Sequence, residues 1–335
     1  MTQTRFSLAL DQGALTLSDG TVCVWNAPAD MALDFAPLDQ LHMIQTFAPA
    51  HDTYAARGVS VATAATGAYD TALVFCQRAR AATFAALFDA LACTPPGALI
   101  AVEGAKTDGI EPIIKALKAR FAGVESYAKA HGKLAWITRP DALPDLSDWQ
   151  RAATEVQEGF VTFPGAFSAD GIDKGSALLA QHLPALAGKV ADLGAGWGYL
   201  SGKVLGSDKV TSLDMIEADH NALDAAKLNI TDPRAVMHWA DMARFQGGPY
   251  DAIISNPPFH TTRTPTPELG QMFISRAAEL LAPKGQFWMV ANRNLPYEQT
   301  LDTLFSQVDT IAQTGGFKVI RARRPKPAQK ARAAR

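Results

Sequence analysis

The stretch Val190-Ala191-Asp192-Leu193-Gly194-Ala195-Gly196-Trp197-Gly198 constrains the fold of this 335-residue chain more than any other. A short apolar run ends in a carboxylate and passes at once into three alternate glycines. Glycine takes left-handed backbone angles at no steric cost, so such a run turns tightly at a strand end and opens a helix against a ligand. The third glycine stands at 198, whereas the dinucleotide-binding fingerprint needs it at 199, where Tyr199 stands. That spacing weakens a nicotinamide reading. A tight strand-to-helix turn without a ligand is the plainer alternative.

The surroundings repeat the alternation. KVADLG, VTSLDMIE, VMHWAD, YDAIISNPP and GQFWMVAN read as strands, while GYLSGKVLG, HNALDAAKLNI and MFISRAAELLA carry helical spacing of apolar residues. Strands alternating with helices imply a mostly parallel sheet covered on both faces. The N-terminal half shows the same order: Tyr69-Asp70 opens a strand as Tyr250-Asp251 does, an Ala-rich helix follows, and the strand ALIAVEG comes after Pro96-Gly97 as QFWMVAN comes after Lys284-Gly285. GKLAWITRP and GGFKVIRARR then correspond. A duplicated scaffold accounts for the matching order. The first copy has no glycine-rich turn and no Asn-Pro-Pro, so it is read as degenerate. The expected organisation is an N-terminal domain over 1–145, a Pro/Gly/Asp-rich linker over 146–165, a catalytic domain over 166–324 and a basic tail over 325–335.

Composition excludes several classes. With 48% hydrophobic and 19% charged residues the chain is globular rather than disordered. No apolar run approaches the ~20 residues of a membrane-spanning helix, and the start lacks the apolar core of a secretory signal, so a cytoplasmic protein is expected. Cys23, Cys76 and Cys93 form no CxxC pair, and with seven dispersed histidines they suggest no metal site. The formal charge of −2 hides an asymmetry: seven Lys or Arg and no acid lie from Arg321 onward, leaving the remainder near −9. A basic end on an acidic body fits either a nucleic-acid arm or a merely solvated terminus.

Three further features carry chemistry. Glu217 stands at the end of the second strand, about twenty residues past the glycines, where a carboxylate accepts both hydroxyls of a ribose. Asp214 and Asp219 compete for that role, although Asp219 also suits the cap of a helix from His220. Asp241 closes the third strand, placed to meet an adenine amino group or to be a solvated loop acid. Ser255-Asn256-Pro257-Pro258-Phe259-His260 follows an apolar strand directly. Two prolines end the strand and lock the backbone. Asn256 then presents a side-chain carbonyl, and Pro257 a main-chain carbonyl, to one –NH₂ group, with Phe259 offering a flat face for a heterocycle. A strand terminator with an incidental Asn is the bland alternative, and His260 is read as an ordinary polar loop residue.

DLGAGWG together with SNPPFH resembles the class I S-adenosylmethionine-dependent methyltransferases that act on exocyclic amines. The chain is similar in particular to the bacterial ribosomal RNA guanine-(2-amino) methyltransferases, in the ribosomal RNA small subunit methyltransferase C family. PGAFSADGIDKGS, VANRNLPY and IAQTGGFKVIRA extend the likeness; the N-terminal half matches in outline, and the tail beyond Arg324 has no counterpart. The resemblance implies two tandem Rossmann-like methyltransferase domains, the first degenerate, with S-adenosylmethionine as cofactor. It implies Asp192, Gly194, Ala195 and Gly196 on the methionine side, Glu217 at the ribose, Asp241 at the adenine, and Asn256, Pro257, Pro258 and Phe259 at the target base, Asn256 also bordering the cofactor. Phe167 and Asp173 are lesser candidates for closing over the cofactor. The implied substrate is a guanine of small-subunit ribosomal RNA, in a subunit or an assembly intermediate, with no metal and no membrane, and with Arg263, Arg293 and Arg321 available for phosphate contacts. A protein glutamine amide, a large-subunit guanine and a non-catalytic assembly factor are the competing readings.

Overall fold

The computed structural model describes residues 3–17, 19–258 and 267–327. They form two compact units. The first runs to Ala153 and includes Phe163–Gly165; the second comprises Thr154–Thr162 and the chain from Ala166 onward.

In the first unit the strands are β1 (Val22–Trp25), β2 (Leu41–Ile44), β3 (Ser60–Ala62), β4 (Thr71–Phe75), β5 (Leu99–Ala105), β6 (Glu125–Lys129) and β7 (Gly132–Thr138), in sheet order β3-β2-β1-β4-β5-β7-β6. Helices α1 (Arg5–Asp11), α2 (Ala48–Ala56), α3 (Arg80–Ala92) and α4 (Ile110–Arg120) belong to it. The second unit starts with a two-stranded ribbon, β8 (Thr154–Glu155) and β9 (Val161–Thr162). It continues with β10 (Gly188–Leu193), β11 (Val210–Glu217), β12 (Ala235–Trp239), β13 (Tyr250–Ser255), β14 (Leu281–Asn292), β15 (Phe305–Thr314) and β16 (Phe317–Pro325). Its sheet order is β12-β11-β10-β13-β14-β16-β15, with α5 (Lys174–His182), α6 (Tyr199–Leu205), α7 (His220–Asn229), α8 (Pro267–Leu280) and α9 (Glu298–Leu304). Both sheets are parallel except for one antiparallel strand, β7 in the first and β16 in the second, inserted beside the last parallel strand. Both units are therefore the same Rossmann-like scaffold. Central strands covered on both faces must be apolar throughout, as Val190–Leu193 and Ala252–Ser255 are; Asp192 and Ser255 are the buried polar exceptions.

Register extends the duplication beyond what the letters reveal. Asp70 accepts the Thr21 N–H at 2.8 Å as Asp251 accepts that of Lys189 at 2.8 Å. In each copy a left-handed glycine, Gly20 or Gly188, precedes that position because a Cβ there would run into the aspartate. Trp25 pairs with Ile44 as Leu193 pairs with Ile216, which puts Gln45 at the position of Glu217. Gln45 even repeats the bonding. It accepts from Phe47 N at 3.1 Å, where Glu217 accepts from Asp219 N at 2.8 Å, and its amide donates to Ala27 O at 3.0 Å, where Glu217 accepts from Gly196 N at 2.8 Å. By the same register Val24 replaces Asp192, Asn26 (φ 56°) replaces Gly194 (φ 74°), Pro28 replaces Gly196 and Phe75 replaces Asn256. The first copy keeps the turn but lacks the acid, the open glycine and the amide.

The linker expected over 146–165 differs from what is observed at its start. Leu146 and Trp149 are buried in the first unit, Trp149 stacking on Phe84 at 4.7 Å, since an aromatic ring in an otherwise polar stretch gains more by packing than by solvation. The basic end also divides. Arg321, Arg323 and Arg324 belong to β16, Lys326 is tied back through its amide to Leu304 O at 2.8 Å, and residues 328–335 lie outside the described residues.

Candidate functional site

The glycine turn leaves the carboxyl end of β10, and its three glycines have left-handed φ values for different reasons. A Cβ on Gly198 (φ 94°) would come to 2.9 Å from Ile230 Cγ1 and 3.3 Å from Met215 Cε, so this position serves packing. A Cβ on Gly196 (φ 56°) meets nothing within 4 Å among the described residues. The space beside Gly196 is open, as a ligand-facing turn requires. Gly198→Ala is therefore expected to destabilise the protein by about 2–4 kcal/mol, adding left-handed strain to overpacking. Gly196→Ala should cost about 1–2 kcal/mol in stability but weaken cofactor binding markedly. Denaturant unfolding and calorimetric titration of the two variants separate these effects.

The turn is held from several sides. Ser255 Oγ donates to Leu193 O at 2.6 Å, joining the ends of β10 and β13. Trp197 donates through Nε1 to Phe167 O at 2.9 Å. Asn229 donates to Trp197 O at 2.7 Å and to Val161 O at 2.8 Å, and accepts from Val161 N at 2.8 Å. It thereby fastens β9 to the glycine turn.

Two acids lie at the strand ends. Asp192 is fully buried; its Oδ2 accepts from Ser201 Oγ at 2.7 Å and its Oδ1 has no partner among the described residues. Burial, reinforced by the charge of Glu217 and opposed by the Ser201 hydrogen bond, leaves its carboxyl pushed up to about 7. Half-buried Glu217 is likewise raised by burial, against the N–H groups of Asp219, Gly196 and Ala218 that favour its charge. Two acids that resist ionisation near one turn fit a cationic ligand rich in donors, and the orphaned Asp192 Oδ1 is an acceptor for it. The residues present thus fit S-adenosylmethionine.

The other acids separate by geometry. Asp214 accepts from His238 Nε2 at 2.8 Å and Tyr250 OH at 2.7 Å, so it joins three strands instead of facing solvent. Asp219 caps α7, its Oδ1 accepting from Asn221 N at 3.0 Å. Asp241 accepts from Ala243 N at 2.9 Å in the turn after β12, and Ala240 N bonds Glu217 O at 3.0 Å, so the ends of β11 and β12 lie together.

Asn256 completes the arrangement at the end of β13. Its Nδ2 donates to Asp173 Oδ2 and to Ser176 Oγ, each at 2.9 Å, while its Oδ1 is buried without a partner among the described residues. Leaving such an acceptor unpaired costs about 1–3 kcal/mol, a cost that an incoming donor removes. Asp173 also caps α5, accepting from Ser176 N at 2.8 Å. Gly175 leaves room between them, since a Cβ there would stand 3.0 Å from Asp173 Oδ2 and 3.1 Å from Phe317 Cε1. Pro257 is buried and Pro258 exposed; Phe259, His260 and Arg263 lie outside the described residues.

An open cleft of about 380 Å³ gathers Phe167, Asp173, Ser176, Gly194, Ala195, Gly196 and Asn256 among its walls, with Phe167 59% exposed. Glu217 and Asp241 do not line it; Glu217 touches it through its bond to Gly196. The structure thus brings Asn256 to the glycine turn, while Asp241 is linked to that turn through Ala240 and Glu217. Ser176 was missed by sequence reasoning, and Asp173 is engaged with Asn256, a contact not anticipated. The D-x-x-S spacing at a helix start, which puts the cap and the third helical residue side by side, was the available signal. Among the described residues no group of three or more His, Cys, Asp or Glu could hold a metal ion. Arg321 is less available than expected, lying over Trp288 at 5.5 Å and paired with Asp309 at 3.0 Å, whereas Arg293 is exposed.

The family model described as Methyltransferase small domain matches residues 157–321. The ribosomal RNA small subunit methyltransferase C of Shewanella oneidensis is 32% identical over 261 residues, 75% of this chain and 76% of that protein. Its namesake in Idiomarina loihiensis is 30% identical over 247 residues, 70% and 73% of the two chains. Among solved structures, the T. thermophilus 16S rRNA N2 G1207 methyltransferase in complex with AdoMet and guanosine superposes with a TM-score of 0.78 at 23% identity, covering 93% of this chain and 90% of that one. That structural likeness establishes the two-unit fold.

Proposed function

This chain belongs to the ribosomal RNA small subunit methyltransferase C family, and from that premise we propose that it transfers a methyl group from S-adenosylmethionine to the exocyclic 2-amino group of a guanine in small-subunit (16S) ribosomal RNA. The observation that carries the reading is the buried, unpartnered Oδ1 of Asn256 on the wall of the cleft that holds the glycine turn. S-adenosylmethionine supplies an electrophilic methyl group on a sulfonium. Asp192, Gly194, Ala195 and Gly196 hold its methionine side, Glu217 its ribose and Asp241 its adenine.

The 2-amino nitrogen of guanine is a poor nucleophile because its lone pair is delocalised into the ring. Asn256 Oδ1 and the main-chain carbonyl of Pro257 accept hydrogen bonds from its two N–H groups, which localises that pair and orients the nitrogen. As the N–C bond forms, the electron pair of the broken S–C bond stays with the thioether product, and the nitrogen returns to neutrality by releasing one proton to solvent. Pro257 and Pro258 stiffen the backbone that carries both acceptors, and Phe259 stacks on the base. Holding two reactants in attack geometry is worth about 7–11 kcal/mol, so positioning supplies most of the acceleration. A paired guanine must leave its stack, at a few kcal/mol. Arg293 and the basic end of the chain offset that cost through phosphate contacts. The substrate is read as RNA in a small ribosomal subunit or its assembly intermediate, which makes the protein cytoplasmic; no described helix is long and apolar enough to cross a membrane.

Ribosomal subunits and naked ribosomal RNA from a strain lacking this gene, incubated with the protein and methyl-labelled cofactor, test the reading. The expected result is label at the 2-amino group of one guanine of small-subunit RNA. Label in large-subunit RNA or on a protein glutamine would overturn it, and no cofactor-dependent label would favour the non-catalytic reading.

A further inference from the structure

Building on this reading of Asn256 as the amine acceptor, we propose that Asp173 and Ser176 are positioning residues that select the one amide orientation of Asn256 able to receive an amine. An asparagine amide presents either oxygen or –NH₂ to a given neighbour, and the two orientations are nearly the same in shape. Only one leaves an acceptor for the substrate. The other would present donors to a donor and repel it.

Asp173 settles the choice because its Oδ2, which accepts the Ser176 N–H at 2.8 Å, stands there as an acceptor. The Asn256 group 2.9 Å from Asp173 Oδ2 must therefore be the –NH₂, with Ser176 Oγ as second acceptor at 2.9 Å. The amide thus has both protons accounted for, and its oxygen, buried and unpartnered, faces the remaining direction. Asp173 is itself fixed. It caps α5 with the same oxygen, and the Phe317 ring packs where a Gly175 side chain would otherwise press on it. Asp173, Ser176 and Asn256 share one cleft wall although Asp173 lies 83 residues, and Ser176 80 residues, before Asn256. The role is distinct from closing over the cofactor, since it acts on the acceptor.

Capping alone does not distinguish Asp, Asn and Ser, which cap helices about equally well. The amide selection does. Asn at 173 keeps an oxygen held by the cap that still accepts from Asn256. Ser at 173 caps with a hydroxyl that donates as readily as it accepts, so the Asn256 amide is free to turn over. Asp173→Ser should therefore lower kcat about tenfold or more with KM for cofactor and RNA changed less than about threefold, and with the thermal midpoint near that of the wild type. Asp173→Asn should recover most of that loss. Ser176→Ala should lower kcat more modestly, and Ser176→Thr should restore it.

A second measurement does not depend on turnover. In ligand-free protein the side-chain amide protons of Asn256, identified as the pair missing from the Asn256→Asp spectrum, should exchange slowly with solvent, and several-fold faster in Asp173→Ser than in Asp173→Asn. Equal exchange and equal kcat in the Ser and Asn variants would overturn the proposal. If the wild type methylates no guanine while the exchange contrast is present, the anchoring of the amide stands and the functional reading fails instead.

Discussion

Asn256→Ala is expected to lower kcat for methyl transfer at least about a hundredfold, the usual scale for losing one positioned hydrogen-bonding group of an active site, while cofactor affinity stays within a few-fold of the wild type. The asymmetry follows from where the side chain is bonded. Its –NH₂ spends both protons on Asp173 and Ser176, and only Oδ1 is left unpaired. Truncation removes that acceptor and leaves the backbone at the end of β13 in place, because Ser255 holds it to Leu193 O at 2.6 Å. The cofactor contacts proposed for the glycine turn and Glu217 are on other strands. Single-turnover methylation beside calorimetric cofactor binding makes the comparison. Turnover within about tenfold of the wild type would remove Asn256 from the reaction.

Asp192→Asn is expected to change both the pH dependence of stability and that of cofactor binding. The Asp192 carboxyl is pushed up to about 7 by burial, well above its ordinary value of 3.8. The folded protein therefore holds this proton more tightly than the unfolded chain does. As pH rises from about 4, the unfolded state loses the proton first, and the ionised form destabilises the fold progressively until about pH 7, at up to about 1.4 kcal/mol per pH unit. Asparagine does not titrate, so variant stability minus wild-type stability should rise across that window and level off above it. The raised carboxyl of Glu217 acts in the same direction; taking the difference removes the part of its contribution that is independent of Asp192 and leaves their mutual coupling in the measured curve. Binding of a cation beside Asp192 has the opposite linkage: it favours the ionised form, so wild-type cofactor affinity should fall by up to about tenfold per unit below pH 7. In Asp192→Asn binding should be about tenfold weaker or more and nearly flat with pH. Chemical denaturation and calorimetry from pH 5 to 8.5 measure both, and a parallel pH dependence in the two proteins would contradict the assignment.

Much of this site was legible in the residues because its signals are local. The glycine turn after an apolar strand, the Asn-Pro-Pro after another, and the acid at the end of β11 all depend on backbone chemistry within a few positions. The matching order of elements in the two halves was legible for the same reason. Other features needed coordinates. Nothing in the letters distinguishes Gly196 from Gly198, yet one faces open space and the other packs against Ile230 and Met215. Asp214 and Glu217 are both strand acids; only strand pairing shows that Asp214 is consumed by His238 and Tyr250 while Glu217 meets the turn. Gln45 does not resemble Glu217 in sequence context, but register puts it in the same place, where it keeps the bond to the N–H two residues on and donates to Ala27 O where Glu217 accepts from Gly196 N.

The sequence by itself determined that the chain folds as alternating strands and helices, that it turns tightly at 194–198 and that an amide stands after β13, since each rests on the conformational limits of glycine and proline over short distances. The tertiary structure decided which way that amide faces. Asp173 and Ser176 reach Asn256 only because α5 begins beside the end of β13, across some eighty residues of chain. A side-chain amide has no orientation of its own, so the neighbours that pair with one end of it define what the other end can bind.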